Sequence, residues 1–157
     1  MLARSRHREP HVKDTLKAGL EHELRFVATE AKMVPALYPE SEDFRAMPSV
    51  LATGYLVGFL EWCALLLAKP HLDWPREQTV GTHVNVSHEA ATPPGLVLTA
   101  RAKLVRVEGR KLSFEVEADD GIDLIARGTH ERVVILRERF DARVAEKARR
   151  GQLTVDS

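Results

Sequence analysis

Between Leu20 and Ala28 the residues Leu20, His22, Leu24, Phe26 and Ala28 recur at every second position, with Glu21, Glu23 and Arg25 between them. This is the period of a strand with one face on a core. From Met33 to Pro48 the periodicity is lost. Pro35, Pro39 and Pro48 interrupt it while Leu37, Tyr38, Phe44 and Met47 supply apolar bulk, and the pattern predicts a cover segment. Ser49–Lys69 then carries Val50, Leu51, Tyr55, Leu56, Val57, Phe59, Leu60, Trp62, Leu65, Leu66 and Leu67 with almost no polar face. That predicts a helix buried nearly all round, opened by Pro48–Ser49 and stopped by Pro70. Gly54 and Gly58 share a face of it and would allow close approach of another backbone. Gln78–His88, Leu96–Val107, Lys111–Asp119 and Leu124–Phe140 follow as strand segments with β-branched residues at alternate positions. Glycine- and proline-bearing turns separate these four, which favours antiparallel neighbours. Asp141–Arg150 reads as a charged terminal helix, Met1–Lys13 as a mobile basic tail and 151–157 as a short C-terminal tail. The plan is α+β, a curved antiparallel sheet wrapped around one long hydrophobic helix, in a single domain over 14–150. A sheet of this size covers only one side of such a helix, so a second copy is expected to bury the rest.

At 157 residues the chain has room for one ordinary domain. Lysines plus arginines and aspartates plus glutamates number 23 each, so no overall field draws it to nucleic acid or to an anionic membrane. The apolar run Leu51–Ala68 is interrupted by Glu61, and the N-terminus has no apolar stretch of the length a secretory signal needs. With one cysteine, Cys63, neither an intramolecular disulfide nor a cysteine-based metal site can form within the chain. A cytoplasmic protein acting on a small molecule is expected.

Glu61 is the only carboxylate between Phe44 and Asp73 and sits mid-way along the most apolar segment, where an unpaired charge is costly. The bland reading ties it structurally to an arginine or to backbone donors; the functional one makes it a tuned catalytic carboxylate. Thr53 lies eight residues earlier, about 12 Å along the helix and within roughly 80° around its axis. Its bland reading is a hydroxyl bonding within the first turn. Because helical side chains lean toward the N-terminus, the gap between the two suits a bridging imidazole. In Gln78–His88 the alternation places Val80, Thr82, Val84, Val86 and His88 on the core face and Gly81, His83, Asn85 and Ser87 on the other. His88 thereby points at the helix. An inward histidine is commonly a satisfied core residue, but one facing an isolated glutamate can be oriented by it for proton transfer. His22, His71 and His83 have no comparable setting, and Cys63, with apolar neighbours, reads as packing.

Several separate motifs then align in order: Leu37-Tyr38-Pro39-Glu40-Ser41, Ala52-Thr53-Gly54, Val57-Gly58, Glu61-Trp62, Gly81-Thr82, His88, Ala90-Ala91-Thr92-Pro93-Pro94-Gly95, Val107-Glu108-Gly109-Arg110 and Gly128-Thr129-His130-Glu131-Arg132. Across roughly Lys13–Lys147 the chain resembles the fluoroacetyl-CoA thioesterase family of hotdog proteins. The resemblance implies a hotdog fold, an acyl-CoA substrate with no further cofactor, and Thr53, Glu61 and His88 as catalytic residues; it fits the expected homodimer and leaves open whether two dimers associate into a dimer of dimers. It further implies a backbone contact from Gly81 to the thioester, contact of Arg132 with the CoA moiety, and a lid wall that includes Val34, Leu37 and Phe44. At Met47 this chain departs from the family's phenylalanine. A flexible methionine makes a more adaptable wall than a rigid ring, so a broader or different short acyl group is expected. In the implied hydrolysis Glu61 either attacks the thioester carbonyl or activates water, His88 manages protons, and Thr53 orients His88 or the substrate. A silent acyl-CoA-binding module and another acyl-CoA transformer such as a dehydratase are the competing classes. The helix offers only Glu61 for the chemistry of the second.

Overall fold

A computed structural model describes residues 12–155. The tail expected over Met1–Lys13 therefore lies, but for its last two residues, outside the described residues. Strand β1 (Glu21–Val27) leads through a short 3-10 turn to two one-turn helices, α1 (Val34–Leu37) and α2 (Glu42–Arg45), which form the cover segment. Pro35 enters the first turn of α1, where a missing N–H costs nothing, and Ser41 caps α2 by accepting from the Phe44 amide at 3.3 Å. Backbone bonds from Val34 to Val50 and from Ala52 to Lys32 clip this cover to the entry of the long helix α3 (Thr53–Ala68). That helix starts four residues later than Pro48–Ser49 suggests, because Met33 and Leu51 form an isolated β-bridge and hold the chain extended up to Ala52.

Strands β2 (Glu77–His88), β3 (Val97–Glu108), β4 (Lys111–Asp119) and β5 (Leu124–Leu136) complete a five-stranded antiparallel sheet in the order β1-β3-β4-β5-β2. Helix α4 (Arg137–Val155) begins directly where β5 ends and runs past the boundary drawn at Arg150. The helix α3 packs over the concave side of the sheet. Leu98, Ala100, Ala102 and Leu104 of β3, with Leu112, Phe114, Val116 and Ala118 of β4, are buried beneath it. The alanines leave room for the helix to lie close. The convex side is charged instead, with Glu23, Arg101, Glu117 and Arg127 in cross-strand register and Arg101 bonded to Asp119 at 2.8 Å and Glu23 at 3.3 Å. Alternation thus assigns one core per sheet, on the helix side.

Within this chain α3 is not buried all round. Leu56, Phe59, Leu60, Cys63, Ala64, Leu67 and Ala68 face the sheet, whereas Thr53, Gly54, Gly58 and Trp62 form an open stripe with Trp62 45% exposed. A single sheet reaches around half of a helix, and the remainder stays uncovered, with Trp62 set edge-on to Phe26 of β1; at the other side of the sheet β2 has a neighbour on one side only. Among the described residues no helix is long and apolar enough to cross a membrane.

Candidate active site

The open stripe of α3 carries two groups of polar side chains, one at each end, and β2 runs along both. At the N-terminal end Thr53 occupies the first helical position, and its hydroxyl does not cap the helix. Thr53 Oγ1 and His88 Nδ1 lie 2.9 Å apart. His88 Nε2 is buried and has no partner among the described residues.

Two turns further on, Arg132 of β5 donates through Nη1 to Glu61 Oε1 at 3.2 Å. The guanidinium is almost fully buried, while the Glu61 side chain is 40% exposed. Arg132 is held from behind by β2: Nε donates to Thr79 Oγ1 and Nη2 to the Thr79 carbonyl, each at 2.8 Å. Burial draws the guanidinium below its ordinary range, and the Glu61 carboxylate opposes that shift. The arginine partner anticipated by the bland reading of Glu61 is therefore present. It leaves the carboxylate facing the open stripe, so pairing and exposure coexist. Bringing Arg132 to the CoA moiety, as the family resemblance implies, would need a ligand to reach a side chain that is buried here.

Gly81 meets Glu61 because of a β-bulge. Pairing between β2 and β5 runs Gly81 with Arg132 and then His83 with Glu131, so Thr82 is the extra residue. Before the bulge the odd-numbered Glu77, Thr79 and Gly81 face inward; after it the even-numbered Val84, Val86 and His88 do. The sequence alternation placed Gly81 on the outer face and Val80 on the inner one. The structure corrects both, since an inserted residue reverses the side-chain parity of a strand. Gly81 and His88, an odd number apart, thereby address the same side of α3. A Cβ at Gly81 would force Glu61 Oε1 to move from its place.

Thr53 and His88 are brought together, as are Glu61, Gly81 and Arg132. The two groups stand eight helical residues apart, about 12 Å, and His88 does not bridge Thr53 to Glu61 within one chain. The lid residues lie at the Thr53 end. Leu37 packs over Gly54, Val34 and Phe44 are half-buried with the Phe44 ring 5.1 Å from that of Tyr38, and Met47 is 52% exposed at the margin. Cys63 faces the sheet with no exposure, and burial pushes its thiol up to about 11, the reverse of an activated nucleophile.

His130 went unassigned in the sequence. It is buried on the inner face of β5, two residues before Arg132, with Nδ1 2.8 Å from the His83 carbonyl and Nε2 3.2 Å from Arg132 Nη1. The signal was available: two ionisable residues spaced i, i+2 on the core face of a strand both require partners.

Comparison with known proteins agrees with this fold. A family model described as fluoroacetyl-CoA-specific thioesterase matches residues 32–138. The fluoroacetyl-CoA thioesterase of Streptantibioticus cattleyicolor is 46% identical over 140 residues, covering 89% of this chain and all of that protein. A solved structure of a fluoroacetyl-CoA thioesterase superposes with a TM-score of 0.83 at 47% identity, over 85% of this chain and 98% of the other. A thioesterase superfamily member from Thermus thermophilus does so with 0.76 at 25% identity, over 87% and 96%. With motif order, sheet topology and overall identity in agreement, the chain belongs to the fluoroacetyl-CoA-specific thioesterase family of hotdog proteins.

Proposed function

We propose that this protein hydrolyses short or small substituted acyl-CoA thioesters to the free acid and CoA, working as a homodimer. The observation that carries the reading is the placement of Glu61: a carboxylate on the most apolar helix, aimed by a buried arginine toward the glycine of an edge strand. Hydrolysis forms a C–O bond and breaks the C–S bond, with negative charge passing through the former carbonyl oxygen to the sulfur. Glu61 supplies the oxygen nucleophile or draws the proton from an attacking water. His88, steadied by Thr53, transfers a proton to the departing thiolate, and the Gly81 backbone contacts the thioester. Val34, Leu37, Phe44 and Met47 wall the acyl group. The chemistry calls on no metal or additional cofactor, and a cytoplasmic location fits one unpaired cysteine.

The same geometry supports a dimer. An edge strand twelve residues long with Gly81–Asn85 exposed is a surface that asks to be paired. Isologous pairing of two β2 strands matches residue i with j and j with i. A twofold axis between Val84 and Asn85 sets His88 of one chain opposite the partner's Gly81. His88 is then brought to the partner's edge near the partner's Glu61, and each of two equivalent sites combines both ends of α3. Val84, exposed in the single chain, becomes covered.

Thiol release from acyl-CoAs running from acetyl and fluoroacetyl through branched, aromatic and long-chain tests the activity, and sedimentation tests the assembly. Turnover of short members by a species of twice the chain mass is expected. Monomeric protein that turns over at the same specific rate would defeat the shared site, and no release from any thioester would defeat the activity. Oxygen-18 from water entering the Glu61 carboxylate during turnover distinguishes direct attack from activated water.

A further inference from the structure

Arg132 has five N–H donors and no acceptor. Four are accounted for by Thr79 Oγ1, the Thr79 carbonyl, Glu61 Oε1 and His130 Nε2. The last of these contacts constrains the chemistry of His130. Nη1 can only donate, so Nε2 must accept and carries no proton. The His83 carbonyl can only accept, so Nδ1 must donate. Two independent neighbours thus demand one and the same form, the neutral Nδ1–H tautomer, with the ring stacked on Phe114 at 6.2 Å between centroids.

We propose that His130 is a positioning residue for Glu61: in its neutral Nδ1–H form it anchors one proton of Arg132 Nη1, leaving the other aligned on the Glu61 carboxylate, and its protonation releases that alignment. The inference rests on the thioesterase reading and deepens it. An imidazolium would direct an Nε2–H against an Nη1–H, two donors and two positive charges at 3.2 Å. The guanidinium, wedged between Thr79 and His130, would have to turn and would take the carboxylate with it.

The net influence on the ring has the same sense. Burial is the main influence holding His130 below the ordinary histidine range, and Arg132 adds to it. The His83 carbonyl, Glu61 of α3 and Glu131 of its own strand act the other way without overcoming it, and β4 contributes only the uncharged Phe114. The sign follows. The unfolded chain takes up the proton first, near about 6.5. Stability from this arrangement is therefore complete above that value and is lost as pH falls through the depressed folded value.

Nitrogen-15 spectra of the imidazoles, which need no turnover, read the tautomer directly in the parent protein. A protonated Nδ1 beside an unprotonated Nε2 is expected at neutral pH and into mild acid; an imidazolium or the Nε2–H tautomer at neutral pH overturns the proposal. Kinetics give the second arm. H130L, which cannot accept from Arg132, is expected to lose about 10- to 100-fold in kcat through misplacement of the carboxylate, with KM little changed. H130Q, which keeps an acceptor for Arg132 and a donor for His83 but does not titrate, should recover most of kcat and lose one inflection from the acid limb of the kcat profile. Parent-like kcat in H130L, or identical acid limbs for H130Q and the parent, overturns the proposal. Absence of turnover in the parent itself would instead overturn the thioesterase reading.

Discussion

The two ends of helix α3 are built on opposite principles. At the Thr53 end there is little bracing: one hydroxyl steadies one imidazole, whose other ring nitrogen is buried and unpartnered among the described residues. At the Glu61 end a carboxylate is backed by a guanidinium, which is fastened by a threonine and a histidine that is itself fastened to a backbone carbonyl. The first is a pair waiting for a partner, and the second is a braced platform. The contrast suits their proposed roles. A group that shuttles protons must be free to meet both substrate and leaving group, whereas a carboxylate that attacks or activates water gains most from being held in one direction.

The contrast can be broken most severely at the braced end. Replacing Glu61 by glutamine removes the nucleophile or base while keeping most of its shape. A kcat loss of about 1,000-fold or more is expected, with acyl-CoA binding retained; isothermal titration beside turnover checks both halves. A mutant that still turns over at near the parent rate would shift the chemistry to the Thr53–His88 pair. Gly81→Ala comes next, because its methyl group must push the carboxylate off Arg132. A loss of about 100-fold in kcat is expected, and parent-like activity would show that the platform tolerates displacement.

The open end should respond less. Thr53→Val deprives His88 Nδ1 of its partner, and a loss of about tenfold in kcat is expected, restored by serine but not by alanine. If Thr53→Val equals Glu61→Gln in effect, the two ends do not differ as described. The smallest effect is expected at the lid. Met47→Phe should leave the thermal midpoint and acetyl-CoA turnover nearly unchanged while shifting the ratio of rates within the acyl panel toward the smallest groups, by a few kcal/mol at most and about 1 kcal/mol per methylene excluded. An unchanged ratio would remove Met47 from the acyl wall.

Much of this was legible in the amino-acid sequence because it depends on local repetition. Alternation over Glu21–Val27 and Lys111–Asp119, the unbroken apolar run of α3 and the proline and glycine turns each report burial or reversal within a few residues. Glu61 announced itself as a charge without company, and His88 as a ring on the valine face of its strand. Three features were decided only by tertiary structure. The bulge at Thr82 reverses the faces of β2 without any mark in composition, since one inserted residue alters parity and nothing else. The partner of Glu61 arrives from 71 positions away, on a strand whose own alternation shows that Arg132 is buried but not what it meets. The tautomer of His130 is set by a carbonyl and a guanidinium contributed by two different strands, so no reading of one segment contains it. Periodicity determines which side of an element is buried; contacts across the sheet, formed between residues remote in sequence, decide what a buried polar group does there.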